Sequence, residues 1–203
     1  MKKNASLQFW VRLALLVAVQ FAMRAIGLGK VPVGPLNMSF LTLPIAVGAI
    51  CLGPLAGLVL GAVFGGLSLF DAITNTGGMT GVFFQISPVH TVILCVVMRM
   101  LMGLCCGLIF QGLRKLDAKG TWSYFVGAIS APLLNTLFFM GYIVLVFFGT
   151  EYVQELAAAK GAGNPLAFVV AIVGIQGLVE AAVCGILGGI VGKSVDVFLK
   201  RRG

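Results

Sequence analysis

Acidic side chains are scarce in this chain: six Asp and Glu stand against fourteen Lys and Arg, with a single histidine. That scarcity argues against an enzyme, because hydrolysis and group transfer need a nucleophile with a base, paired carboxylates or a metal cluster. The five cysteines (Cys51, Cys95, Cys105, Cys106 and Cys184) form no CxxC pair and have no histidine at metal-ligand spacing. They read as small apolar fillers, and neither a metal nor a cofactor is expected. A GxxxxGK[ST] phosphate loop is missing, so the chain cannot hydrolyse ATP alone.

Charge of either sign is also rare, at 10% of residues against 60% hydrophobic, with a mean hydropathy of +1.09. Such a composition excludes a soluble globule and describes an integral membrane protein. Apolar runs of spanning length recur along the chain, and lipid accepts only backbones paired within themselves, here helices. The expected fold is all-α, one domain over residues 1–203, with six transmembrane helices at about 7–26, 40–52, 55–70, 89–112, 122–148 and 166–192. A five-span alternative fuses 40–70, but Gly53-Pro54 is a helix stop followed by a first-turn proline. Six spans also gather Lys2, Lys3, Arg12, Arg114, Lys115, Lys119, Lys193, Lys200, Arg201 and Arg202 on one side, the cytoplasmic one, with both termini. The net charge of +8 then reflects membrane orientation, not nucleic-acid binding.

Small residues are abundant and regularly placed. Gly53, Gly57, Gly61 and Gly65 share one face of helix 3, and Ala14, Ala18 and Ala22 share one face of helix 1. Either stripe serves internal helix packing or a smooth docking surface for another subunit.

With six spans in about 200 residues, the stripe "ALLVAVQFA" and the block "PVGPLNMSFLTLPIAVGAICLGPLAGLVLGAVFGGLSL", the chain resembles the substrate-binding S-component of energy-coupling factor vitamin transporters. Its "PxGxxN" start and the later "ISPVH" are similar to the pantothenate-specific branch. The resemblance implies one vitamin bound near the outer face, under the loops after helices 1 and 3. It also implies docking through the small-residue face of helix 1 onto a transmembrane coupling subunit driven by two ATPases, in a bacterial cytoplasmic membrane.

Deep polar residues mark the expected site. At about 1.5 Å per residue, Arg99 lies about 16 Å below the outer end of its helix, Asn135 about 20 Å and Gln176 about 16 Å. Glu180 follows Gln176 by one turn. Ionisable groups at such depth cost several kcal/mol unless paired, and are functional by default. Arg99 either closes the bundle in a salt bridge to Glu180 or offers its planar fork to an anionic vitamin, with Asn135 and Gln176 on the ligand's amide and hydroxyl groups; both can hold together. His90, at the outer start of helix 4, is a helix-end group or a ligand contact. The loop "DAITNTGGMTGVFFQISP" reads as a lid, with Phe83 and Phe84 to cover the site, and the loop carrying Asn37 and Ser39 as a second lid. Tyr142 and Asn75 are further expected contacts.

Trp10 and Trp122 fall at the inner helix ends, as interface anchors, and cannot cage a flat cation such as thiamin. Pantothenate, a small carboxylate with an amide and hydroxyls, fits one arginine and two amides; riboflavin, folate and biotin are the alternatives within the family. Two other classes compete. A secondary transporter of a small organic anion should show inverted repeats broken at the midplane, and a purely structural subunit would not need the buried polar set.

Overall fold

Helix punctuation divides the apolar chain into its elements. In the computed structural model the backbone is described for residues 2–29, 31–33, 36–117 and 120–202, and the side chains for residues 6–29, 31, 39–117 and 120–198. Helix α1 is Lys2–Ala25. A short antiparallel ribbon follows, β1 (Val31–Val33) with β2 (Leu36–Met38), Val31 opposite Met38. The remaining helices are α2 (Thr42–Leu52), α3 (Pro54–Thr74), α4 (Met79–Ile86), α5 (Pro88–Leu116), α6 (Trp122–Phe147), α7 (Glu151–Ala159) and α8 (Pro165–Phe198, continuing to Arg202). Wide π turns interrupt α5 at Ile93–Val97 and α8 at Cys184–Gly188, and another ends α6 at Ile143–Phe147.

Gly53 and Pro54 separate α2 from α3. Gly53 adopts φ 95°, a left-handed value open to glycine, and Pro54 takes the first helical position. The chain reverses there, since a Cβ on Gly57 would meet Ala49 and one on Gly48 would meet Leu60.

Five helices, α1, α3, α5, α6 and α8, are long and apolar enough to cross a membrane. With eleven residues α2 extends about 16 Å, roughly half of a hydrocarbon core. Eight of those residues are buried, so α2 is sheathed by its neighbours.

The glycine stripe of α3 is internal. A Cβ on Gly57, Gly61 or Gly65 would collide with the carbonyl oxygens of Gly103, Arg99 or Cys95, so the two backbones touch and run antiparallel. Internal packing therefore replaces the docking alternative for this stripe, because α5 already fills it. The stripe of α1 is different: Ala14, Ala18 and Ala22 are all exposed. Its other face is buried through Leu13 and Gln20, whose Nε2 donates to the Leu60 carbonyl at 3.2 Å.

Two apolar cores result. The larger holds Leu60, Met102 and Ala128 between the long helices. The smaller lies under α4 and α7, where Phe83 stacks on Phe147 with centroids 4.3 Å apart, beside Val153 and Phe168. The segment after helix 3, expected as a long loop, is thus corrected to a largely helical one: α3 runs on to Thr74, and Asn75 to Gly78 lead into α4, where Phe83 is fully buried. Contacts of α2 with α8 keep a constant register, Ala46 near Gly188 and Ile50 near Gly192, so those two are parallel. Accordingly the ribbon, α4 and α7 cap one end of the bundle. The Gly53 turn, the start of α1 and the end of α8 occupy the other.

Candidate functional site

Beneath that cap, α1, α3, α5, α6 and α8 enclose a cavity of about 150 Å³. Arg99 enters it from α5, two residues after the wide turn Ile93–Val97. It is only 7% exposed. Its Nη1 donates to the Cys95 carbonyl at 3.2 Å, and its guanidinium carbon lies 4.4 Å from the Phe64 ring centroid and 4.6 Å from that of Phe139. Its Nε has no hydrogen-bond partner.

Glu180, 6% exposed, faces the same cavity from α8 and accepts the Ser39 backbone N–H at 2.8 Å. Among the described residues no ion pair within 4.0 Å joins it to Arg99. The direct salt bridge, one of the two readings of Arg99, is therefore absent: each charge meets the cavity separately. Asn135 from α6 and Gln176 from α8 complete the polar lining, and the Asn135 Oδ1 and Gln176 Oε1 atoms are buried without a partner. A buried polar group left unpaired costs about 1 to 3 kcal/mol, which a ligand or water can recover.

An ion pair closes the rim. Arg24, at the end of α1, grips Asp71, near the end of α3, through both carboxylate oxygens, with Nη1 to Oδ2 at 2.6 Å. Both residues line the cavity. Asn75, at the C-terminal cap of α3, lines it as well.

Of the residues singled out by sequence, Arg99, Asn135, Gln176, Glu180 and Asn75 meet in this cavity. His90, Tyr142 and Phe84 do not line it. The His90 Nδ1 and Tyr142 hydroxyl are 2.8 Å apart, and His90 sets its ring edge-on to Phe147, so the two polar groups satisfy each other on the outer flank of α5 and α6. Phe84 is half-buried on α4, which turns Met79 and Thr80 to the cavity instead. The side chain of Asn37 lies outside the described residues.

Sequence reasoning did not assign Arg24, Asp71 or Thr136 to the site, and it expected Ser39 only in a lid. Charges at the ends of spans are unremarkable by position. Ser39 acts through its backbone, which no side chain announces. Cys51 and Cys106 donate to the carbonyls of Gly192 and Gly127, both at 3.5 Å, across helix contacts.

Chemically, the cavity offers one buried cation with open donors, two amide oxygens awaiting donors, and a carboxylate. Such a donor and acceptor set is chemically complementary to an anion that also carries hydroxyl or amide N–H groups. No curated protein matches the chain. A family model described as "ECF transporter, substrate-specific component" matches residues 8–191. The apolar bundle with its five candidate spans accords with that match, and the chain belongs to the family of substrate-specific components of ECF transporters.

Proposed function

We propose that this S-component binds pantothenate and delivers it to a bacterial ATP-driven importer. The family supplies the substrate-binding part of a transporter and is not an enzyme; it works with a membrane coupling subunit and ATPases. The observation that carries the vitamin assignment is the set of unpaired atoms facing one cavity: Arg99 Nε, Asn135 Oδ1 and Gln176 Oε1. Arg99 receives the carboxylate, and the two amide oxygens receive the ligand's hydroxyl and amide protons. Glu180 accepts a further hydroxyl. Trp10 and Trp122, both exposed, sit toward the opposite end and leave no tryptophan cage for a cationic ring.

In this reading the capped end faces outward and α2, in hairpin with α3, makes the sixth crossing. The basic residues Arg12, Arg114, Lys115 and Lys193, at the other end, support a cytoplasmic placement of both termini. Docking uses the exposed Ala14, Ala18 and Ala22 face of α1, where the coupling subunit can approach closely.

Reconstitution in vesicles tests the division of labour. The chain alone should bind pantothenate without ATP and accumulate none, whereas accumulation should follow addition of the coupling subunit and both ATPases. Accumulation by the chain alone on a proton or sodium gradient would overturn the assignment in favour of a secondary transporter.

A further inference from the structure

Arg99 is a buried cation without an acidic partner in contact, and something must hold its charge. A carboxylate would do so by consuming N–H donors, since carboxylate and guanidinium meet edge to edge. Aromatic faces act differently. The ring quadrupole attracts a cation within about 6 Å yet takes up no hydrogen-bond donor. Two such faces meet Arg99, Phe64 from α3 at 4.4 Å and Phe139 from α6 at 4.6 Å, while the Cys95 carbonyl ties down Nη1 and Nε stays open. Both phenylalanines line the cavity beside Arg99.

We propose that Phe64 and Phe139 are positioning residues: their faces hold the Arg99 guanidinium in the place of a counter-ion and leave its N–H edge for an anionic ligand. The proposal rests on the reading of Arg99 as the ligand's anchor. A leucine of similar bulk at either position keeps the apolar wall but loses the quadrupole, so the guanidinium should be held less firmly. Tyrosine keeps the π face. The clamp therefore separates from simple packing by the charge of the ligand and by the chemistry of the replacement.

The test titrates purified full-length protein with pantothenate and with its neutral primary amide. Phe139→Leu, and separately Phe64→Leu, should weaken pantothenate about tenfold, the order expected for a desolvated cation–π contact, and the amide by less than about twofold. Phe139→Tyr should restore pantothenate binding, and in an Arg99→Met background Phe139→Leu should add no further loss. Equal losses for the two ligands, or an equal loss with Tyr and Leu, would overturn the clamp and leave the rings as plain walls. A ligand-free arm compares melting temperatures in the cycle of Arg99→Met, Phe139→Leu and the double variant. Non-additivity supports the clamp and additivity contradicts it. Failure of the wild-type protein to bind pantothenate would count against the vitamin assignment alone, because the melting cycle still decides the clamp.

Discussion

Ser39 donates its backbone N–H to the Glu180 carboxylate at 2.8 Å, which ties the segment after the β1–β2 ribbon to the middle of α8 across 141 residues of chain. Removing the acceptor leaves a part-buried N–H without that partner. Glu180→Ala should destabilise the protein by about 1 to 3 kcal/mol and speed amide exchange around Ser39. Unchanged melting and unchanged exchange at Ser39 would deny the tie.

Arg24 and Asp71 form a second tie, between the ends of α1 and α3. Each is partly shielded from water, so Arg24→Gln, which strips the guanidinium from a largely buried carboxylate, should cost about 1 to 3 kcal/mol, less than a fully buried pair. Arg24→Gln with Asp71→Asn should regain part of that loss. A double variant that melts as the sum of the two singles would show that the residues do not interact.

The two small-residue stripes should respond in opposite ways. Gly57→Ala places a methyl against the Gly103 carbonyl and should cost about 1 to 3 kcal/mol by overpacking. Ala18→Leu adds bulk on an exposed face, and the isolated protein should melt as the wild type does. Co-purification with the coupling subunit should nevertheless fall. Normal co-purification of the Ala18→Leu protein would remove this face from the docking surface.

Sequence legibility followed from what each residue could do in its context. Arg99, Asn135, Gln176 and Glu180 stood out because polar groups deep in apolar helices have few structural excuses, and they do share one cavity. Arg24 and Asp71 lie at span ends, where charges are ordinary, so their pairing across 47 residues was invisible. Spacing alone placed Gly57, Gly61 and Gly65 on one face but could not name the neighbour, which is the α5 backbone. Asn75 to Gly78 disguised the start of α4, because a glycine pair signals a loop while the following "MTGVFFQI" has its own apolar face to bury. His90 and Tyr142, expected as ligand contacts, bond to each other and do not line the cavity.

At the opposite end, Asp117 caps the start of α6 by accepting the backbone N–H groups of Gly120 and Ser123, both at 2.9 Å. Burial alone would push its carboxyl up, but the Ser123 and Gly120 donors with the Arg114 charge hold it below the usual carboxylate range. A depressed folded-state pKa contributes stability that is present above the unfolded value, about 3.9, and is lost as pH falls through the folded one. Wild type should therefore melt above Asp117→Asn at pH 7, with the gap closing on acidification below about pH 4. A gap constant with pH would mean that the charge of Asp117 plays no part in the cap.

Arg99 carries the central claim, that this S-component recognises a carboxylate vitamin through a buried guanidinium. Calorimetric titration of pantothenate into the wild-type and Arg99→Gln proteins, each confirmed as folded by its melting curve, tests it most directly. The predicted result is a loss of about 2 to 5 kcal/mol in binding for Arg99→Gln, the range for breaking a desolvated charge pair, with a smaller loss for Arg99→Lys. Undiminished affinity in the folded Arg99→Gln protein would contradict the account.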